Sequence, residues 1–375
     1  QYDAVIANPP YMGGKGMNTA LKNFAKKEFP DSKSDLFAMF IERGFNWCKD
    51  NGFNSMVTMQ SWMFLSSYEA MREKLLQYRT IQTMAHLGAR AFPEISGEVV
   101  QATAFVMQGK HLDGFKPVFF RLVDTEQDQK ENELKAGLNR FDSTIQDDFK
   151  KIPGSPVAYW VSEKVLEIFE SSPSMGSVAD ARQGLATADN NRFLRLWQEV
   201  DIQKIGFGME SRHQAQSSHK KWFPYNKGGE FRKWYGNQEY VVNWENDGKE
   251  LFEFLPRSVI RNPSYYFKPS ISWSRITSSF NSFRFYPTGF IFDQAGHSIF
   301  SNDAPATMSY LNSKFCSFIL NVMNPTMNLE VGYIQSIPVA TKTFSEKSSS
   351  ILIDIAKKDW ESYRSEEHTS ELQSL

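Results

Sequence analysis

Cysteines, long apolar runs and net charge are all scarce in this sequence. Two cysteines, Cys48 and Cys316, lie far apart in 375 residues, and the six histidines show no zinc or iron spacing. These counts exclude a disulfide framework, predict no metal site and fit a reducing compartment. We recognise no signal peptide and no membrane-spanning run, which predicts a cytoplasmic protein.

The charge balance says little about partners. The formal net charge is -1, from 42 basic and 43 acidic residues, so net charge alone predicts no polyanionic partner, although a local basic surface is compatible with it. The length allows two or three domains. Aromatic residues make up 14% of the chain, and such residues either fill a core or stack on nucleobases.

Residues 1 to 110 alternate between strand-like and helix-like segments. Residues 3 to 8 predict a buried strand, and apolar residues from Leu36 to Phe45 recur at helical spacing after Ser34, which can cap the helix. Further strands are predicted in "NSMVTMQSWMF", "IQTMAHLG" and "VVQATAFVMQ". This alternation predicts an α/β fold with a mostly parallel, doubly wound (Rossmann-like) sheet.

The rest of the chain divides into parts of different composition. Residues 111 to 176 include the charged run "DTEQDQKENELKAG" and predict a helical linker. Residues 177 to 345 are strand-like with many turns, which predicts a mixed α+β domain. Residues 346 to 363 predict the start of a C-terminal helical region.

The tetrapeptide Asn8-Pro9-Pro10-Tyr11 directly follows the first predicted strand. Parallel sheets place ligands beyond the carboxyl ends of their strands, and two prolines stiffen the backbone and remove two N–H donors. The Asn8 side-chain oxygen and the Pro9 carbonyl can accept both hydrogens of an exocyclic amine, while Tyr11 offers a flat face to its ring. The pattern indicates a pocket for an amino-purine or amino-pyrimidine; a purely structural turn is the alternative.

Several segments resemble a known family. "NPPY" and "SDLFAMFIERG" resemble motifs IV and V of the amino-methyltransferases that use S-adenosylmethionine. With "TMQSWMFLSS", "AHLGARAF" and "IPGSPVAYW", they resemble the adenine-specific DNA methyltransferases of BREX phage-defence systems and their type IIG restriction–modification relatives. The resemblance covers roughly residues 1 to 345. It implies that residues 1 to 110 form the C-terminal half of the methyltransferase domain and that residues 177 to 345 form a target-recognition domain.

The resemblance also implies an activity, which is transfer of a methyl group from S-adenosylmethionine to the N6 amine of a flipped adenine in double-stranded DNA. Asn8 and the Pro9 carbonyl would bind the amine, Tyr11 would stack on the base, and Phe92 would cap its other face unless it is a core aromatic. Asn8 and Pro10 would also touch the edge of the cofactor. DNA and other phage-defence proteins are the implied partners.

Basic residues are candidate DNA contacts, since cations can position a protein on phosphates and read base edges. An ordinary charged surface is the alternative. The candidates are Lys15 in the glycine-rich "MGGKGMN" loop and, in the second domain, Arg192, Arg195, Lys220, Lys221, Arg232, Arg275 and Arg284.

Both ends of the sequence predict a piece of a longer protein. The family's glycine-rich cofactor loop, usually similar to "DPACGSG", lies upstream of the NPPY motif and does not occur here. We therefore expect an incomplete S-adenosylmethionine site and no activity from this segment alone. Residues 364 to 375, which begin "RSEEHTSELQS", resemble an in-frame translation of a sequencing-adapter oligonucleotide and are excluded from the fold prediction.

Two other functions use the same features. A protein methyltransferase acting on glutamine amides would also use Asn-Pro-Pro-Tyr, but it would lack an appended recognition domain. A non-catalytic DNA-binding specificity module would need only the second domain. Whether the whole protein also cleaves DNA stays open, because no nuclease motif of the Pro-Asp…Glu-x-Lys kind is visible in this sequence.

Overall fold

A computed structural model describes residues 1–92, 100–276, 280–324, 328–339 and 346–372, with the backbone alone considered at 346–347 and 363–372. The chain divides into two compact units. Unit 1 comprises Gln1–Glu170 with Val322–Asn324, and unit 2 comprises Ser171–Asn321 with Pro325–Leu375.

Between Tyr2 and Gly88 strands and helices alternate, as predicted for residues 1 to 110, whereas no described helix separates the three strands between Thr80 and Arg121. In chain order the elements from Tyr2 to Ser171 are β1 (Tyr2–Ala7), α1 (Thr19–Glu28), α2 (Leu36–Trp47), β2 (Cys48–Met59), α3 (Glu69–Tyr78), β3 (Thr80–Gly88), β4 (Ala102–Gln108), β5 (Val118–Arg121), α4 (Lys130–Ala136), β6 (Arg140–Phe141) and α5 (Glu163–Ser171). Short 3-10 turns occur at Gln60–Met63, Ser66–Tyr68 and Gln146–Lys151.

The six strands form one sheet in the order β1-β2-β4-β3-β5-β6. Only β1–β2 and β3–β5 pair in parallel, because β4 runs antiparallel between β2 and β3 and β6 runs antiparallel to β5. The prediction of a mostly parallel sheet is therefore wrong for this part of the chain. No helix was predicted between β3 and β4, and consecutive strands without a crossover helix pair antiparallel.

Helix α2 packs closely on the sheet. Phe37, Ile41 and Phe45 belong to the apolar core of unit 1. A Cβ atom at Gly44 would come within 2.6 Å of the Asn54 side chain, so glycine is required where the helix approaches β2. This packing fixes the start of α2 relative to the sheet edge at which β1 ends.

Two predictions about unit 1 are corrected. Residues 111–176 are not a separate helical linker, because β5 and β6 extend the sheet and Tyr159 lies in the core; the charged run contributes only the surface helix α4 between them. The strand predicted at residues 3–8 is not buried, because β1 pairs with β2 alone among the described strands, and Ile6 is 81% exposed.

The part of the chain after Ser171 is mixed α+β, as predicted. Its elements are α6 (Met175–Val178), β7 (Ala179–Arg182), α7 (Asn190–Phe193), β8 (Leu194–Leu196), α8 (Arg212–Ser217), β9 (Trp222–Asn226), β10 (Tyr240–Asn243), α9 (Glu245–Glu253), β11 (Ser270–Ser274), β12 (Phe283–Tyr286), β13 (Ile291–Phe292), β14 (Gly296–Ser301), α10 (Ala304–Leu311), α11 (Lys314–Met323), α12 (Val331–Ser336) and α13 (Glu346–Leu372), with 3-10 turns at Trp197–Glu199, Ile202–Lys204 and Pro263–Tyr265.

Two four-stranded sheets organise unit 2, in the orders β13-β9-β10-β8 and β12-β11-β14-β7. Phe223, Tyr225 and Val242 from one face of the first sheet lie in an apolar core. Helix α13 covers the predicted C-terminal helical region and continues through Leu372, so the backbone of the adapter-like segment is helical up to that residue. The assignment of residues 364–375 to an adapter stays a prediction, and residues 373–375 lie outside the description.

Candidate functional site

The elbow, Asn8 to Tyr11, begins directly after β1, at the edge of the sheet where the parallel strands β1 and β2 have their carboxyl ends. Asn8 is exposed, and its carboxamide forms no hydrogen bond with any residue that the structure describes. Pro9 is buried and Pro10 is exposed. The elbow is therefore packed against the protein at Pro9, while the Asn8 amide remains available to a ligand.

Asp35 holds the elbow against the start of α2. Its Oδ1 accepts hydrogen bonds from the backbone N–H of Met12 at 2.9 Å and of Phe37 at 3.3 Å. The Leu36 N–H donates in return to the Met12 carbonyl at 3.1 Å. The sequence predicted Ser34 as the cap, but Asp35 is the N-cap residue. One carboxylate thus caps the helix and fixes the residue that follows the elbow.

Tyr11 is half-buried, and its ring meets Phe37 edge to face, with centroids 6.0 Å apart and planes at 82°. Its hydroxyl is buried without a hydrogen-bond partner among the described residues. Burial raises the pKa of Tyr11, so the phenol stays neutral. The contact with Phe37, at the first turn of α2, limits the orientations that the ring can take.

A chain of polar side chains lies at the same edge of the sheet. Met59 of β2, Ala102 of β4 and Gly88 of β3 are neighbours across the strands. Near them, the Nε2 atom of His86 in β3 lies 2.6 Å from the Oε1 atom of Gln60, the residue after β2. His86 Nδ1 lies 3.1 Å from the Tyr159 hydroxyl. Gln60 Nε2 in turn donates to Gln101 Oε1.

The direction of this hydrogen-bond chain follows from its chemistry. Burial, with the nearby positive charge of Arg121, lowers the pKa of His86 to about 3, so the imidazole is neutral and carries one N–H. The Gln60 oxygen can only accept, so Nε2 carries the hydrogen and Nδ1 accepts from Tyr159. Gln101, which is exposed, is held through its side-chain oxygen, which accepts from Gln60. Its NH2 group has no partner among the described residues.

The sequence did not predict a role for these hydrogen-bonded side chains. Their signal was weak, since "TMQSW" and "AHLG" showed only a polar residue at or after the end of an apolar strand. Their convergence depends on the position of β4 between β2 and β3, which the sequence did not indicate.

Two further candidates of unit 1 stay predictions. Phe92 is half-buried, and residues 93–99, which follow it, lie outside the description. Lys15 is exposed and forms no ion pair with a described residue. It is compatible with a phosphate contact and equally with simple solvation.

Four of the predicted cations of unit 2 already pair with carboxylates. These ion pairs are Arg192–Glu250 at 3.5 Å, Lys221–Glu245 at 3.6 Å, Arg232–Asp359 at 3.6 Å and Arg275–Glu330 at 2.7 Å. Arg195 and Lys220 instead donate to backbone carbonyls and have no carboxylate partner among the described residues. Their charge is therefore the least compensated of the set.

The prediction that Arg284 contacts DNA is wrong. Its side chain is completely buried and donates to the carbonyls of Glu230 and Arg232, both at 3.4 Å, and to the Ser274 hydroxyl at 3.1 Å. It lies opposite Ser272 inside the second sheet of unit 2. A guanidinium enclosed in this way holds the fold together and does not reach a phosphate.

The described residues contain no group of three or more His, Cys, Asp or Glu side chains suited to a metal ion. Among the helices within the described ranges, none combines the length and the apolar character that crossing a membrane requires.

Comparison with known proteins first relates the start of the chain to a methylase family and the fold to a solved enzyme. Residues 1–92 match the family model of the Eco57I restriction-modification methylases. The fold is similar to that of the type IIL restriction-modification enzyme MmeI, solved in complex with DNA, with a TM-score of 0.56 and 13% identity over 94% of this chain and 48% of that one. This similarity confirms the α/β and α+β fold class.

Two curated relatives then narrow the assignment. The chain is 48% identical to the adenine-specific methyltransferase BrxX of Escherichia coli O9:H4 (strain HS) over 97% of this chain and 30% of the relative. It is 42% identical to the adenine-specific methyltransferase PglX of Lacticaseibacillus casei (strain Zhang) over 97% of this chain and 31% of the relative. The chain is a homologue of these adenine-specific methyltransferases and spans less than a third of their length, which confirms the resemblance seen in the sequence motifs.

Proposed function

We propose that the protein to which this chain belongs transfers a methyl group from S-adenosylmethionine to the N6 amine of adenine at a specific site in double-stranded DNA, in phage defence or restriction–modification. The observation that carries the proposal is the exposed, unpaired Asn8 amide on an elbow beyond a parallel strand. The names of the curated relatives support adenine as the acceptor.

The elbow supplies the acceptor side of the reaction. The Asn8 oxygen and the Pro9 carbonyl would each accept one N6 hydrogen, which turns the nitrogen lone pair out of conjugation with the ring. Tyr11 and Phe92 would stack on the two faces of an adenine rotated out of the duplex. No strong base is required: the N6 lone pair would form the N–C bond as the bond between the methyl group and the sulfonium sulfur breaks, and the extra N6 proton would then pass to water. Alignment supplies most of the rate.

S-adenosylmethionine supplies an already electrophilic methyl group. Asn8 and Pro10 are the only residues to which we assign contact with it, at its edge. Asn8 and Pro10 are both exposed just after β1, which fits one wall of such a site, and we assign no described residue to the methionine or ribose parts of the cofactor.

Unit 2 is the proposed DNA-recognition part. Arg195 and Lys220 are its strongest candidate phosphate contacts because no described carboxylate competes for them. Arg192, Lys221, Arg232 and Arg275 would exchange a carboxylate for a phosphate; such exchange is feasible because exposed ion pairs contribute only about 0–1 kcal/mol.

The test is a methyl-transfer assay on the complete gene product with labelled S-adenosylmethionine, offering duplex DNA or a glutamine-containing peptide. We expect label in DNA only. Asn8→Ala should abolish transfer, whereas Asn23→Ala, at an exposed asparagine on α1, should not.

Label in the peptide would instead support the glutamine methyltransferase. DNA binding with steep salt dependence but no transfer would support a non-catalytic specificity module.

A further inference from the structure

A cavity of about 330 Å³ lies in unit 2 and is lined mainly by aromatic side chains and prolines. The aromatic members are Trp197, Phe207, Tyr240 and Phe290. Pro224 and Val241, which also line it, lie opposite each other on β9 and β10. Cavities of this size with few polar groups are typical small-molecule sites, and the aromatic wall favours a flat ligand.

The loops around the cavity are held in place before any ligand binds. Gly289 has φ +110°, and a Cβ atom there would lie 2.9 Å from the Gly208 backbone nitrogen. The Gly289 N–H donates to the Phe267 carbonyl at 3.0 Å, and the Phe267 N–H donates to the Phe290 carbonyl at 2.8 Å. The two loops therefore touch at glycines, and a preformed cavity of this kind loses little entropy when it is filled.

One polar group of the wall lacks a partner. Gln238 Nε2 is buried and forms no hydrogen bond with any described residue. A buried donor is normally paired, so the expected ligand presents an acceptor atom in its plane.

A cation lies on the same side of the sheet as the cavity. Val241 faces Pro224 across one strand pair and Arg195 across the other, and side chains directly opposite each other share a face. The Arg195 guanidinium lies 5.6 Å from the centre of the Trp222 ring and has no described carboxylate partner. A negative group next to the flat ligand would therefore be favoured.

We propose that this cavity binds an unpaired nucleobase of DNA, stacked among Trp197, Phe207 and Phe290, with Gln238 Nε2 donating to a ring acceptor and Arg195 contacting the adjacent phosphate. A nucleotide of DNA has the three features that the cavity favours. Its base is a flat ring with acceptor atoms in the ring plane, and its phosphate is a neighbouring negative charge. The inference takes from the proposed function only that the ligand is DNA. It does not depend on the elbow, because the cavity is in unit 2 and the elbow is in unit 1.

The experiment compares two fluorescein-labelled duplexes of the same sequence, one fully paired and one with a single unpaired adenine, by anisotropy with the 375-residue chain. We expect the chain to bind the duplex with the unpaired base about tenfold more tightly, as stacking of one base predicts. Phe207→Ala and Gln238→Leu should remove this preference and leave binding to the paired duplex unchanged. Arg195→Gln should weaken binding to both and reduce its salt dependence.

Phe231→Ala is the matched control, because Phe231 is 48% and Phe207 51% exposed; it should retain the preference. Circular dichroism verifies that each variant is folded. Equal affinity for the two duplexes, binding to neither, or a preference that survives both cavity variants would overturn the proposal. Dissociation of a dimer by Phe207→Ala would also overturn it and assign the cavity to a second copy of the chain. A Phe207-dependent preference without methyl transfer by the complete protein would refute only the proposed function.

Discussion

The backbone N–H of Met12 donates to Oδ1 of Asp35 at 2.9 Å, so the first residue after the elbow is held by the residue that caps α2. Helix α2 is in turn packed on the sheet through Gly44. The position of Asn8 and Tyr11 therefore depends on a helix cap and not on the stiffness of the two prolines alone.

The Asp35 cap gives the first prediction. Asp35→Ala should lower the free energy of unfolding by about 1–2 kcal/mol, as loss of a helix N-cap does, and should also reduce methyl transfer by the complete protein. Asp35→Asn, which keeps an acceptor oxygen, should restore much of both.

The control for Asp35 is Asn18, which caps α1 by accepting from the Leu21 N–H at 2.9 Å. Asn18→Ala should cost similar stability and leave methyl transfer intact. Equal loss of activity in the two alanine variants would contradict a positioning role for Asp35. Urea denaturation and the labelled-methyl assay measure the two effects separately.

The second prediction concerns the pH dependence of stability. His86 has a pKa of about 3 in the folded protein, against 6.5 ordinarily, so the unfolded chain binds its proton more readily. The stability that His86 contributes is complete above about pH 6.5 and is lost as the pH falls toward 3. His86→Asn should therefore flatten the decline in unfolding free energy over this range. Urea titrations at several pH values measure it, and an unchanged decline would refute the burial of a neutral imidazole.

Arg284 gives the third prediction. Arg284→Met removes a buried guanidinium together with its hydrogen bonds to the Arg232 carbonyl and the Ser274 hydroxyl, which should cost about 2–3 kcal/mol of stability. The folded variant should bind DNA with the same salt dependence as the unmodified chain, whereas Lys220→Gln should reduce that dependence. A smaller salt slope for Arg284→Met would mean that its side chain reaches phosphate after all.

The edge strand β1 gives the fourth prediction. Within the described chain β1 pairs only with β2, and Tyr2 and Ile6 are 65% and 81% exposed. Unpaired edges with apolar side chains promote association. The 375-residue chain should therefore self-associate with rising concentration, and Ile6→Lys should reduce this in light scattering. A monodisperse monomer before substitution would refute the prediction.

Local patterns in the sequence were enough to predict α2, the strands β1 to β4 and the elbow. The helix and the strands follow from short-range apolar patterns, and the elbow follows from its two prolines. The position of β4 between β2 and β3 was not predictable from the sequence, and neither was the addition of β5 and β6 to the sheet, since both are set by pairing between distant segments. Arg284 shows the same limit, because "SFRFY" reads equally well as an exposed or an enclosed strand.

In the candidate site, too, only the residues that are contiguous in the sequence were predicted. Asn8, Pro9, Pro10 and Tyr11 were found because they form one continuous motif. Asp35, His86, Gln60 and Gln101 were not given a role, because their partners lie on separate elements. Asp35 binds the backbone of Met12, 23 residues earlier, and the other three meet through the sheet order β2-β4-β3.

The most direct test of the account identifies the modified nucleoside. Duplex DNA treated with the complete gene product and S-adenosylmethionine is digested and analysed by mass spectrometry. The account predicts N6-methyladenine as the product, and none of it with Asn8→Ala. N4-methylcytosine, or N6-methyladenine formed equally well by the Asn8→Ala variant, would contradict the assignment of the elbow to the adenine amine.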